Sequence, residues 1–177
     1  MERVRAFQRV YGDTPEERFR LLQVELEEVF GALNEVSPYG ELWCEDNSTV
    51  TALPASGWVD VEVLNKAGAA VDVGQDKTIS QFRIQKTGLY EVHFHTSCTT
   101  STNNEEIEFS AHCKGERHKN LHTERKIATA GDIGSCGFHG RVRLLEGELL
   151  KVQSQSLTGA TNLTVKDANF MIRWVGP

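Results

Sequence analysis

The residues of this chain with the widest chemical range are its six histidines and four cysteines, and their spacing decides what they can do. His93 and His95 stand two apart in the run Tyr90-Glu-Val-His-Phe-His95. On an extended strand, Glu91, His93 and His95 share one face while Tyr90, Val92 and Phe94 share the other. One carboxylate and two imidazoles on a polar face suit an ion-pairing interface. In a symmetric trimer they could also bring six imidazoles to one axial ion. The sequence shows no carboxylates placed to support metal-bound imidazoles, so the run reads as an interface without metal. Cys136 and His139 are close in sequence, yet three residues along a strand puts them on opposite faces. That arrangement disfavours a nucleophile and base pair.

Cys44, Cys98, Cys113 and Cys136 lie 54, 15 and 23 residues apart, with no Cys-x-x-Cys and no zinc-ligand spacing. They read as free thiols, and no cofactor is expected. Gly-x-Ser-x-Gly, His-Glu-x-x-His, a phosphate-cradling loop and the Rossmann glycines are all absent, so the expectation is a protein that is not an enzyme. A formal charge of −6 argues against phosphate-backbone binding, and nucleic acid is excluded as a partner. No stretch of 18 uncharged apolar residues is present to span a membrane, and the first residues lack the apolar run of a signal peptide. The expectation is a chain that is not exported.

These polar residues need elements to hold them. Residues 1–13 interleave Arg3, Arg5 and Arg9 with Phe7, Val10 and Tyr11, a pattern suited to an anchor that orders on a larger partner. Thr14-Pro15-Glu16-Glu17 spells a helix start: a Thr cap, Pro in the first turn, and acidic residues at the positive end of the dipole. From there Phe19, Leu22, Leu26, Val29, Leu33 and Val36 alternate steps of three and four, as a heptad seam does. Residues 14–37 therefore read as a helical stalk that self-associates. Pro38 ends it.

Beyond residue 42 the pattern changes to short alternating runs rich in Val, Ile, Thr and aromatics, broken by Gly, Asn and Asp. Strands are predicted near 43–45, 48–53, 58–63, 80–85, 88–98, 104–113, 121–129, 136–145, 148–156 and 168–175. The fold class is mainly β, a jelly-roll sandwich head over 42–177 preceded by a short N-terminal α-helix.

Four landmarks in the head come in a telling order: Gly88-Leu-Tyr90 after a short turn; the long middle strand Glu106-Ile-Glu-Phe-Ser-Ala; Gly140 to Val152 around an acidic Gly147 turn; and a last strand, Ala168 to Trp174. Together they resemble the jelly roll of the complement globular head and tumour-necrosis-factor superfamily, over roughly 43–176. The resemblance implies a homotrimer in which the polar face of the Tyr90 strand approaches the axis. It would place Glu91, His93, His95, His139 and Arg141 at a subunit interface, with Glu91 and Arg141 bridging subunits. The family usually lines that axis with aromatic and aliphatic residues, so this interface is expected to be wetter.

A trimeric head on a capped stalk with a basic-apolar start reads as a virion surface protein, assembled in a host cytoplasm. The expected role is capsid decoration, cement or head fibre in a bacteriophage, contacting other virion proteins through the N-terminal region. Two alternatives remain. One is a trimeric receptor- or glycan-binding appendage that uses the loops Thr99–Asn104 and Ser156–Asn162. The other is a cellular trimeric ligand of the complement or tumour-necrosis-factor type.

Overall fold

A computed structural model describes residues 14–34 and 37–177, as one helix and a compact β unit, Ser37–Pro177. Helix α1 spans Pro15–Asn34. It opens on a reciprocal cap: the Glu17 amide donates to Thr14 Oγ1 and the Thr14 amide donates to Glu17 Oε2, each at 3.2 Å. Two amides that no helical carbonyl can reach are thereby satisfied. Phe19, Leu22 and Leu26 of the heptad seam are exposed, as are Leu21 and Val24. Val29 and Leu33 follow on the same helix. Val36 and the anchor residues Arg3, Arg5, Phe7, Arg9, Val10 and Tyr11 lie outside the described residues. Among the described residues no helix is long and apolar enough to cross a membrane.

The β unit begins with β1 (Tyr39–Cys44), β2 (Val50–Leu53), β3 (Val59–Asp60), β4 (Lys66–Ala67), β5 (Val73–Asp76) and β6 (Gln81–Ile84). It continues with β7 (Gly88–Thr100), β8 (Glu105–Cys113), β9 (Glu116–Ile127), β10 (Gly134–Leu144), β11 (Leu149–Ser156) and β12 (Thr161–Gly176). The first sheet orders β10-β7-β12-β1-β4, with β2 also on β12, and the second orders β5-β6-β11-β8-β9, with β3 also on β11. All pairs are antiparallel. This is the jelly-roll sandwich that the alternating pattern predicts.

Several elements differ from expectation. The first strand starts at Tyr39, before the predicted 43, because Tyr39 and Gly40 already pair with Arg173 and Ile172. The last strand starts at Thr161, not 168: Thr161 to Thr164 pair with β2, and β7 pairs with Leu163 to Val165 and again from Asp167. The two-residue β4 and the four-residue β5 carry too little pattern to be read from sequence.

The core lies between the sheets and is centred on Phe94, whose ring centroid is 5.6 Å from Phe109, 5.2 Å from Phe138 and 6.2 Å from Phe170. Tyr90, Val92 and Phe94 are buried as their alternation requires. Tyr90 also closes the turn before its strand, its hydroxyl donating to the Lys86 carbonyl at 2.6 Å. At the acidic turn between β10 and β11, Gly147 has φ +84°, a conformation other residues adopt at a cost. The Leu145 amide donates to Glu148 Oε2 at 2.8 Å there. On the second sheet Glu108, Ser110 and His112 are buried on the face away from the core, with Trp58 packed on His112 and Arg117 and Gln155 bonded to Glu108.

Candidate self-association face

On the first sheet the residues pointing away from the core form ranks across three strands. Register sets Arg173, Glu91 and Arg141 abreast on β12, β7 and β10; then Met171, His93 and His139; then Asn169, His95 and Gly137. Neighbouring strands run about 4.8 Å apart, so side chains in one rank touch. The structure thus brings Glu91, His93, His95, His139 and Arg141 onto one face, and it adds Arg173, Met171 and Asn169, which the sequence reading did not single out.

Glu91 is the hub of the first rank. Arg173 Nη2 donates to its Oε2 at 2.7 Å, His93 Nε2 lies 3.7 Å away, and Arg141 Nη2 lies 3.9 Å from Oε1. The Arg173 hydrogen bond, and the charges of Arg173, His93 and Arg141, hold the Glu91 carboxyl below the usual carboxylate range. Glu91 and Arg141, expected to bridge subunits, also lie near each other within one chain, where Arg173 is the closer partner of Glu91. In the second rank the His93 and His139 rings stack, centroids 5.5 Å apart and planes 23° from parallel.

Around these ranks the surface is concave. A groove of about 670 Å³ is lined by His93, His95, His139, Asn169 and Met171 over a floor that includes Phe94 and Phe138. A second, of about 500 Å³, continues past Glu91 and Arg173 to Tyr39 and Glu41. Gly137 keeps the first groove open: a Cβ there would stand 2.6 Å from the Phe94 carbonyl oxygen and 2.9 Å from His95 Cβ. Met171 is 40% exposed, a large apolar side chain among imidazoles and guanidiniums.

Other candidates are engaged internally. Cys136 alternates with Phe138 and His139 with Arg141, so the thiol and imidazole do face opposite ways. All four cysteines are free thiols. Hydroxyls of the expected glycan loops turn inward: Thr102 and Thr158 donate to Glu105 at 2.7 and 2.5 Å, and Ser156 also bonds it. Glu108, His122 and Glu124 bring one possible metal-ligating atom each within 4.8 Å of the others. Both Glu108 oxygens already accept hydrogen bonds, from Arg117 and Gln155, so a cation would have to displace a guanidinium.

The sandwich and its strand order define a tumour-necrosis-factor-like jelly roll. Among solved structures the chain is similar to Eiger TNF from S. frugiperda, with 13% identity, a TM-score of 0.56, and coverage of 79% of this chain and 95% of that one. It is also similar to murine APRIL, with 11% identity, a TM-score of 0.54, and coverage of 79% and 100%. At such identities the likeness is one of fold. No family model matches the sequence, and no curated protein does either.

Proposed function

We propose that this chain is a non-enzymatic, homotrimeric assembly protein whose heads meet through the outer face of the first sheet. The observation that carries this reading is the ranked face itself: Arg-Glu-Arg, Met-His-His and Asn-His-Gly, lining concave surface with an exposed methionine in the middle rank. In a closed threefold ring two different patches of each chain meet head to tail, and residues of this face nearest the axis meet their own copies. The fold it shares with Eiger TNF and APRIL supports the same arrangement. Exposed Phe19, Leu22 and Leu26 on α1 offer a second contact along the heptad seam.

The setting we propose is a virion surface, with the protein assembled in a host cytoplasm as decoration, cement or head fibre. Its support is the sequence pattern of Arg3, Arg5, Phe7, Arg9, Val10 and Tyr11 ahead of a self-associating stalk. A second reading, a trimeric ligand, is favoured by the two fold neighbours.

Sedimentation equilibrium tests the trimer: the expected mass is three times the chain's 19.8 kDa, and Met171→Glu lowers it to one. Imaging of particles made with and without residues 1–36 tests the setting. Heads that still decorate particles after that deletion overturn the anchor. A full-length trimer that ignores particles but saturates a cell surface selects the ligand reading.

A further inference from the structure

We propose that self-association through the first-sheet face is released by acid, through the stacked pair His93 and His139 and their neighbour His95. The inference rests on reading that face as the self-association surface. Its basis is that the carboxylates around the three imidazoles are already engaged by other partners.

The groups on this face can be followed strand by strand. On β7, Glu91 is shared among Arg173, His93 and Arg141. On β1, Glu41 Oε1 accepts from Asn169 Nδ2 at 2.5 Å. On β12, Asp167 accepts from the Ser97 hydroxyl at 3.0 Å and the Asp46 amide at 3.1 Å. On β10, the polar residues beside the imidazole are Arg141 and Arg143, both cationic. Each facing carboxylate therefore has a partner, and the guanidiniums of Arg141, Arg143 and Arg173 match Glu41, Glu91 and Asp167 in number, so added protons on the imidazoles make the face net positive.

Histidine changes charge within the range pH 5 to 8. A proton on His93 competes with Arg173 for Glu91. A proton on His139, stacked 5.5 Å from His93, places a second cation against the first ring. In a free chain, water solvates these charges. Assembly removes that water and brings together three copies of a face whose carboxylates are already engaged, which penalises the protonated form. The free chain then binds protons more readily than the assembled one. Lowering pH pulls the equilibrium toward free chains, and raising it restores the assembly.

The test is sedimentation of the full chain at pH 8.0 and 5.5, at one ionic strength, with far-UV circular dichroism to show that the head stays folded. The expected result is a trimer at pH 8.0 whose dissociation constant weakens on the order of 100-fold or more by pH 5.5. The triple variant His93→Gln, His95→Gln, His139→Gln is expected to lose that dependence. If it does not assemble at pH 8.0, the single His139→Gln, at an exposed position, is expected to show a reduced dependence. A wild-type constant equal at both pH values overturns the acid release and leaves the trimer standing. A wild-type monomer at pH 8.0 overturns the trimer, and the release with it. Unchanged pH dependence in the glutamine variants assigns it to other groups and overturns the proposal.

Discussion

The imidazole of His112 packs against the indole of Trp58, ring centroids 4.6 Å apart, with both imidazole nitrogens buried and without a hydrogen-bond partner. Burial, reinforced by the charges of Arg117 and Lys151, pushes this histidine down to about 4. The unfolded chain takes up the proton first, near pH 6.5. Stability is therefore full above that value and declines as pH falls toward 4, by at most about 3 kcal/mol. Urea denaturation at pH 7.0 and 4.5 reads the difference. His112→Phe, which keeps the ring beside Trp58, is expected to flatten the dependence; an equally steep loss in that variant assigns it elsewhere.

Cys136 and Cys98 give a second prediction. The Cys98 thiol bonds Cys136, which lowers Cys136 and, together with burial, raises Cys98. Cys136 is half-buried beside a groove of about 380 Å³, while Cys44, Cys98 and Cys113 are buried. Iodoacetamide at pH 7.5 is expected to label Cys136 first, as peptide mass mapping will show. Cys98→Ala slows that labelling by removing the donor to the thiolate. Equal labelling of all four thiols in folded protein would contradict this.

Gly137→Ala is expected to destabilise the head by about 1–3 kcal/mol, the usual cost of forcing atoms into filled space. The added methyl would meet the Phe94 carbonyl and His95 Cβ, so β10 and β7 must part locally. Thermal melting measures it. Gly159→Ala is the control, since nothing lies within 4 Å of a Cβ there.

Phe94→Ala removes the ring that touches Phe109, Phe138 and Phe170, and is expected to cost about 3–5 kcal/mol. Denaturant unfolding of the two proteins measures the loss. A cost below about 1 kcal/mol would mean that the core collapses around the gap.

Much of this face is legible in local alternation. Tyr90, Val92 and Phe94 point inward and Glu91, His93 and His95 outward because a strand repeats every two residues. Arg141 and His139 follow from the same rule. Which residues stand beside them is a different matter. Arg173 reaches Glu91 only because β12 pairs with β7 at one register, with irregularities between Val165 and Asp167 and between Trp174 and Gly176. Period alone assigns a side, not a partner. The burial of Glu108, Ser110 and His112 is hidden for a related reason. Alternation marks them as the solvent side, and their partners are ones it does not place: Trp58 against His112, and Arg117 and Gln155 on Glu108.

Glu105 binds hydroxyls at two separate turns: Thr102 from the one after β7, Thr158 from the one after β11, and Ser156 from the last position of β11 itself. Thr161, at the start of the last strand, lies 2.7 Å from Thr102 and joins the same set. Burial works against a charge on Glu105, but those hydroxyls hold its carboxyl below its ordinary range, so it stays an acceptor for them. The two turns are consequently one unit for anyone who would redesign this end of the head. A new sequence grafted into either must bring its own donor for a buried carboxylate, or replace Glu105 and both turns together.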